Sequence, residues 1–522
     1  MNSQTAKTSE YTRTKGSSIR QTVICTAAMV ICMLAVLLCG LSAAPQRNWQ
    51  EFPRQEKQYE ELTAAITSGQ LSLLEEPAPF LAAMDNPYDP TARALASEEH
   101  GGSGLIDMAY YNGRYYVYFG VTPVLLLFLP VFLLTGRILQ TWIAVILCAV
   151  LCVPVGFLFV RALCDRFFRD SVYSVRLLLS LFLPGVLGIP YLAAFCTTYS
   201  LPAVLGLLLL LTGFTLLLSA ERPDGSMQQG KLACGSVCLA LTIGCRPAFA
   251  AAYLLLFPLF GGAIRKGAFF RLRKDAVRNT AAVLLPAFVI GSGFLIYNAL
   301  RFDNPFEFGF HYLFTTRDLL HGRHTPAQTL TGAHLLFLQM PILHRVFPFL
   351  ETIEIPWQNE NSLYVEPMFG GLLPLHPLIP AGLLLLPFLF IRRDRSGRVC
   401  RALALSSAAL GVLLLFIDSS IAGISQRYES DFALFFYLPA AIGILTLCER
   451  PATSSPKDGQ TTVSPSSDKR RQHALHFLII LLPILLFAEI FLSFSSILCD
   501  GRYLAMRDWN PAAYNRIAEF FH

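Results

Sequence analysis

Eleven stretches of the chain are apolar over close to the length that carries a helix across the hydrocarbon core of a bilayer, about 20 residues. They start at Thr22, Phe119, Ile138, Leu177, Tyr199, Leu232, Thr280, Gly371, Ala402, Phe432 and Ala474. Apolar residues fill these stretches instead of recurring at heptad spacing. The pattern therefore excludes coiled coil and disorder and predicts an all-α polytopic membrane protein of about 11 transmembrane helices, within a range of roughly 10–13. The first stretch is too long, and lacks the small-residue cleavage pattern, for a signal peptide, and reads as a retained anchor. The run 232–260 is interrupted at Cys245-Arg246-Pro247. Proline lacks a backbone donor and clashes with the preceding turn, so a kinked span or two short helices are expected there.

The polar intervals assign the sides. Residues 1–20 carry net +3, 265–278 net +5, 392–401 net +4 and 449–472 net +2, whereas 45–117 carry net −6, 301–371 net −3 and 418–431 net −2. Lys and Arg accumulate on the cytoplasmic side. The expected organisation is a cytoplasmic tail (1–20), a first transmembrane helix (21–44), an outer loop (45–117), a transmembrane body (118–300), a second outer loop (301–371), a further transmembrane body (372–448), a cytoplasmic linker (449–472), a last transmembrane helix (473–496) and an outer tail (497–522). Loop 161–176, net +2, falls outside if Phe119–Thr135 and Ile138–Val160 both cross fully. Either one of those segments is interfacial or the loop is an exception.

Composition narrows the class. Of 522 residues 54% are hydrophobic and 15% charged, against about 25% charged in soluble chains, which argues against a soluble enzyme. A net charge of +6 over this length makes no case for nucleic acid. The 13 cysteines lie almost all within apolar runs, and Cys25, Cys32 and Cys39 share one face of the first helix, as small-residue helix packing requires. There is no CxxC pair and no disulfide framework. HGRH (321–324) with His311 offers a weak ligand pattern, HExxH is missing, and no GxGxxG or GKS/T loop occurs, so neither a metal nor a nucleotide cofactor is expected.

The first large loop holds MDNPYDPTAR (84–93) and IDMAYYNGRYYVYFGVTP (106–123), the latter with five tyrosines. Aromatics at this density predict a belt lying at the membrane interface. Asp85, Asp89 and Asp107 lie beside that apolar surface, where burial raises a carboxyl towards the general-base range. Arg246 sits inside an apolar run, where an arginine costs ~2.5–3.5 kcal/mol on insertion scales; such residues face functional cavities, the alternative being a pair with Glu489. Arg427 and Tyr428 begin one span and Arg301 ends another; Arg427 also has Asp431 four residues on, at ion-pair spacing.

These segments resemble the GT-C superfamily of integral membrane glycosyltransferases. The resemblance rests on the first span, the long acidic loop and the aromatic lead GRYYVYFGVTPVLLLFLP (113–130). It extends to GCRPAF (244–249), YNALRFDNPFEFGFHYL (297–313), YVEPMFGGLLP (364–374) and SQRYESDFALFFYLP (425–439). It implies a GT-C-like fold embedded in the lipid bilayer, a polyprenyl-phosphate-linked sugar as donor, and a cell-envelope glycan, lipid or protein as acceptor. It further implies a carboxylate of the first outer loop as base, Asp89 or Asp107 with Asp85 third, although Asp89 is followed by Pro where the family has a second acid. Arg427, Tyr428, Arg246 and Arg301 are then the expected phosphate ligands, with Arg93, Tyr115, Tyr116, Glu366 and Asp431 in the substrate cavity. A transporter or flippase of a lipid-linked sugar and a non-catalytic envelope-assembly subunit are the competing readings. The enzyme needs Asp89, Asp107 and Arg427 convergent in one cavity; the flippase needs a continuous polar path between helices.

Overall fold

A helix that is apolar on every side has to lie in lipid or inside protein, and the computed structural model of this chain contains both kinds. The structure describes residues 2–43, 57–101, 107–315, 317–321, 324–353, 366–392, 394–421, 423–448, 465–499 and 506–521. Among them, eight helices are long and apolar enough to cross a membrane, and three shorter apolar helices accompany them. Most of the expected linker 449–472 lies outside the described residues.

The first span is α1 (Asn2–Ala43). The first large loop builds α2 (Gln58–Thr67), α3 (Pro79–Ala83), α4 (Pro90–His100) and a hairpin of β1 (Ala109–Tyr111) and β2 (Arg114–Tyr116). A π-turn at Val124–Phe128 runs into α5 (Leu129–Thr135), followed by α6 (Thr141–Phe167), α7 (Tyr173–Val186), α8 (Ile189–Ala194), α9 (Ser200–Leu218), α10 (Gln229–Leu241), α11 (Leu256–Arg265) and α12 (Lys274–Phe302). The second large loop carries α13 (Pro326–Leu338) and the strands β3 (Ile342–Leu343) and β4 (Leu350–Glu351). The remainder is α14 (Leu372–Leu375), α15 (Leu378–Leu383), α16 (Arg395–Ile421), α17 (Glu429–Cys448), α18 (Pro465–Leu498), α19 (Met506–Trp509) and α20 (Pro511–Phe521).

Helix α17 is the axis of the bundle: nearly all its side chains are buried, and Tyr437 donates to the Leu179 carbonyl of α7 at 2.8 Å. Its crossing with α15 depends on glycine, since a Cβ on Gly443 would lie 2.4 Å from the Gly382 carbonyl oxygen. Helices α12 and α18 instead expose large apolar side chains such as Phe288, Leu300, Ile484 and Phe487 to lipid. On α1, Cys25 and Cys32 pack against the core and Cys39 against Ala194, Phe195 and Ile497, as expected of small residues at a helix contact.

Loop contacts define two faces. On the acidic face Glu60 of α2 accepts from the backbone and hydroxyl of Thr141, both at 2.7 Å, so α6 starts where the first large loop lies. On the opposite, basic face, Asp165, Arg166 and Arg169 share one cavity lining with Arg222, Ala263 and Asp394. The Phe119 stretch, whose helix is only Val124–Thr135, therefore leaves and returns on the acidic face. With both ends of that stretch on the acidic face, loop 161–176 lies with the basic cavity. The run 232–260 is divided into two helical segments at Cys245-Arg246-Pro247, as its proline leads one to expect. Helix α10 rises from Gln228 at the basic cavity, and Pro247–Arg265 descends to Gly262 and Ala263 at the same cavity.

The tyrosine belt is corrected. Asn112 and Gly113 both have positive φ, 47° and 71°, and fold the segment into the β1–β2 hairpin, as Asn-Gly does between short strands. Tyr110, Tyr115 and Tyr116 are buried beneath Phe302 and Phe314 from the second large loop, instead of lying flat on the leaflet.

Cysteines introduced at Asp170 and Arg398 in a cysteine-free background should react with an impermeant maleimide from one side of the membrane, and one at Asn112 from the other. Labelling of positions 112 and 170 from the same side would contradict this assignment of faces.

Candidate active site

The acid–arginine cluster begins with two breaks in regular structure. At the turn between α10 and the 3₁₀ segment Pro247–Leu255, Arg246 is extended (φ −135°, ψ 100°) because Pro247 cannot continue the preceding helix. Gly120 presses against this turn so closely that a Cβ would stand 2.2 Å from the Gly244 carbonyl oxygen, which brings the aromatic lead and Tyr118 to Arg246. The second break is the 3₁₀ turn Gln426–Tyr428 at the head of α17, fixed by the Gln426 side chain accepting from Phe369 N–H at 2.8 Å.

Arg246 and Arg427 meet between these breaks, each within cation–π distance of the Tyr428 ring, 5.8 and 5.1 Å from its centroid. Arg246 pairs with Asp431 at 3.4 Å and Arg427 with Glu366 at 3.0 Å. Glu366 in turn accepts from the Ser425 hydroxyl. Neither alternative pairing from sequence occurs: Asp431 serves Arg246 instead of Arg427, and Glu489 is bound to His376 at 2.7 Å.

Asp107 joins the cluster through Tyr199. The Tyr199 hydroxyl donates to the Asp107 carboxylate, and its ring lies under the Arg427 guanidinium at 4.7 Å. Asp107 takes a left-handed φ of 60°, held by its N–H to the Phe314 carbonyl at 2.6 Å and by Gln58 donating to its carbonyl at 2.9 Å. The side chain is half-buried. Tyr118 lies within electrostatic reach of Asp107, Tyr428 and both arginines. Asp418, buried at the end of α16, lies against Asp431 and Arg246.

The other sequence candidates serve the framework. Asp89 caps α4, accepting from Thr91 and Ala92 N–H at 2.8 and 3.2 Å, so its carboxylate is committed to the helix that Pro90 starts. Asp85 is exposed. Arg93 ties the two large loops, donating to the carbonyls of Pro87 and Thr315 at 2.8 and 3.0 Å over the Phe314 ring. Arg301 donates to the Val117 carbonyl and Asn298 at 2.7 and 2.8 Å, and Tyr115 and Tyr116 fill the hairpin core. Sequence reading missed Tyr199, Tyr118 and Asp418. All three are polar residues at the end of an apolar run, the same signal that identified Arg427. Among the described residues, no three His, Cys, Asp or Glu side chains form a ligand set for a metal ion.

No protein-family model and no curated protein matches the chain. Among solved structures it aligns with ArnT from Cupriavidus metallidurans bound to undecaprenyl phosphate, at 14% identity over 95% of this chain and 79% of that one (TM-score 0.43). It aligns with the apo oligosaccharyltransferase of Archaeoglobus fulgidus at 14% identity over 95% of this chain and 59% of that one (TM-score 0.46). For apo ArnT the values are 12%, 92%, 76% and 0.42. Likeness at this level carries no residue correspondence, so the chemistry of the cluster follows from its own geometry.

R246M should lower thermal stability by about 3–5 kcal/mol, the cost of leaving Asp431 buried without its partner. R246M/D431N should recover much of that loss, whereas adding E489Q to R246M should be additive. Coupling of Arg246 to Glu489 and not to Asp431 in these cycles would contradict the pairing.

Proposed function

We propose that this protein is a GT-C-type membrane glycosyltransferase that moves a sugar from a polyprenyl-phosphate carrier to a cell-envelope acceptor. The acidic face would be the outer one, by the distribution of Lys and Arg. The observation that carries the reading is that a half-buried carboxylate and two membrane-end arginines share one cluster, linked by Tyr199. An alcohol acceptor lying against Asp107 gives it the hydroxyl proton as the oxygen attacks the anomeric carbon. The bond from that carbon to the phosphate oxygen breaks, and the electron pair leaves with the lipid phosphate. Arg427 and Arg246 stabilise the charge that grows there, which is where preorganised donors lower a barrier most. Glu366 and Asp431 keep the two guanidiniums in place. No nucleotide enters the reaction, because the lipid phosphate is itself the leaving group.

A flippase is disfavoured by what lies below the cluster. From Phe432 to Pro439 the axis helix buries an apolar sequence, FALFFYLP, and Tyr437 is already committed to a carbonyl. The polar cluster ends one turn into the membrane end of α17.

With a polyprenyl-phosphate sugar as donor, D107N should insert normally and transfer about 10²–10⁴-fold more slowly, the usual effect of losing a general base. D89N should stay close to wild type, since Asn caps a helix as well as Asp does, and so should D85N, whose side chain is exposed. Comparable loss in D89N, or D107N within twofold of wild type, would remove Asp107 as the base.

Y199F should keep donor binding while lowering turnover roughly 10- to 100-fold, equivalent to about 1.5–3 kcal/mol for a hydrogen bond to a charged group. A change in donor affinity with unchanged turnover would mean that Tyr199 does not position the base.

A further inference from the structure

On the basic face, a cavity of about 760 Å³ lies between the ends of α6, α9 and α11 and the start of α16. Its lining combines the apolar Phe167, Leu218, Leu259 and Val399 with charged side chains. The three carboxylates on the lining are matched. Glu221 holds Arg166 at 2.7 Å, Asp165 has Arg161 and Arg176 at 3.5 Å, and Asp394 has Arg392 at 2.8 Å. Arg166 is further committed to the carbonyls of Leu217, Leu218 and Leu259, at 3.1 to 3.2 Å.

Two cations on the lining remain. Arg169 gives only its Nε, to the Asp165 carbonyl at 2.9 Å, and Arg222 makes a long contact of 3.5 Å with the Ser226 hydroxyl. Both side chains are exposed, and among the described residues neither forms an ion pair. The nearby Asp224 accepts from the Ser226 N–H at 2.8 Å. Arg169 and Arg222 thus bring unpaired positive charge to a crevice that also presents apolar side chains.

The geometry points to a binding site for the phosphate-bearing headgroup of an anionic phospholipid in the leaflet of the basic face, held by Arg169 and Arg222. Basic pockets between transmembrane helices take such headgroups, and the guanidinium fork matches a phosphate through two parallel hydrogen bonds. A lipid is favoured over free phosphate because the crevice also presents Phe167, Leu218, Leu259 and Val399, which an inorganic anion would leave uncovered. This site is independent of the acid–arginine cluster and of its chemistry.

Native mass spectrometry of the full-length protein, titrated with phosphatidylglycerol, phosphatidylcholine or inorganic phosphate, tests the site. Phosphatidylglycerol should be retained in preference to phosphatidylcholine, and inorganic phosphate should not displace it. The R169Q/R222Q variant should lose that binding by about tenfold or more. The R271Q/R273Q variant removes the same charge from exposed positions on the basic side outside the cavity and should bind as wild type does. All four positions are exposed, so the variants should fold, and an unchanged elution profile checks that they do. Equal losses in the two variants would reduce the effect to general surface charge. Displacement by inorganic phosphate would make this a soluble-anion site, and unchanged binding in R169Q/R222Q would leave no site. Each of these results overturns the proposal.

Discussion

A guanidinium among apolar helices must be paired, and the two that this chain brings to the acidic end of its bundle determine what surrounds them. Breaking a buried pair by removing one partner costs about 3–5 kcal/mol, a large share of the stability of a typical fold. Asp431 is therefore placed on α17 to meet Arg246, and Glu366 is brought in from the second large loop to meet Arg427. The Pro247 break, the close approach of Gly120 to Gly244 and the Gln426–Phe369 bond all serve to bring these four groups within reach. The aromatic rings of Tyr199 and Tyr428 complete the shell by offering their faces to the same cations.

The cluster takes more acid than two arginines need. Asp107, Glu366, Asp431 and Asp418 all approach it, and they occupy different depths: Asp107 is half-buried, while Asp431 and Glu366 are closed off. Depth divides their work. The enclosed carboxylates hold the guanidiniums, and Asp107, bonded to the Tyr199 hydroxyl, is the one left partly accessible, as the proposed role of base requires. A second buried arrangement, His376 between Glu429 and Glu489, lies against a small cavity beside Arg427 and joins α17 to α18. Gly185 leaves the room for it, since a Cβ there would stand 2.6 Å from a Glu489 carboxylate oxygen.

The membrane architecture was legible in the sequence because two long-range rules act on it independently. Hydrocarbon thickness sets the length of apolar runs, and loop charge sets their direction. Loop 161–176 shows how they check one another: its charge disagreed with full crossings by both the Phe119 and Ile138 stretches, and the helix of the first runs only from Val124 to Thr135. Arg246 and Arg427 were legible for the same reason, as charges whose position is costly. Partner choice was not. Sequence spacing offered Asp431 to Arg427 at one turn of helix, but the 3₁₀ turn at Gln426–Tyr428 ends before regular spacing begins. Asp107 could not be separated from Asp89 because the distinction lies in local backbone. One carboxylate follows a positive φ towards Tyr199, and the other turns back to cap α4. The tyrosines read as an interfacial belt because a hairpin core and a lipid interface both favour aromatic rings with a wet edge.

The most direct measurement is a structure of the protein in lipid nanodiscs with a polyprenyl phosphate bound. The account predicts density for the phosphate within hydrogen-bonding reach of Arg427 and Arg246, with the Asp107 carboxylate facing the side on which the sugar would leave. A phosphate bound elsewhere, with Arg427 still closed on Glu366 and Arg246 on Asp431, would show that the arginines are structural pairs and would contradict the assignment of this cluster as the active site.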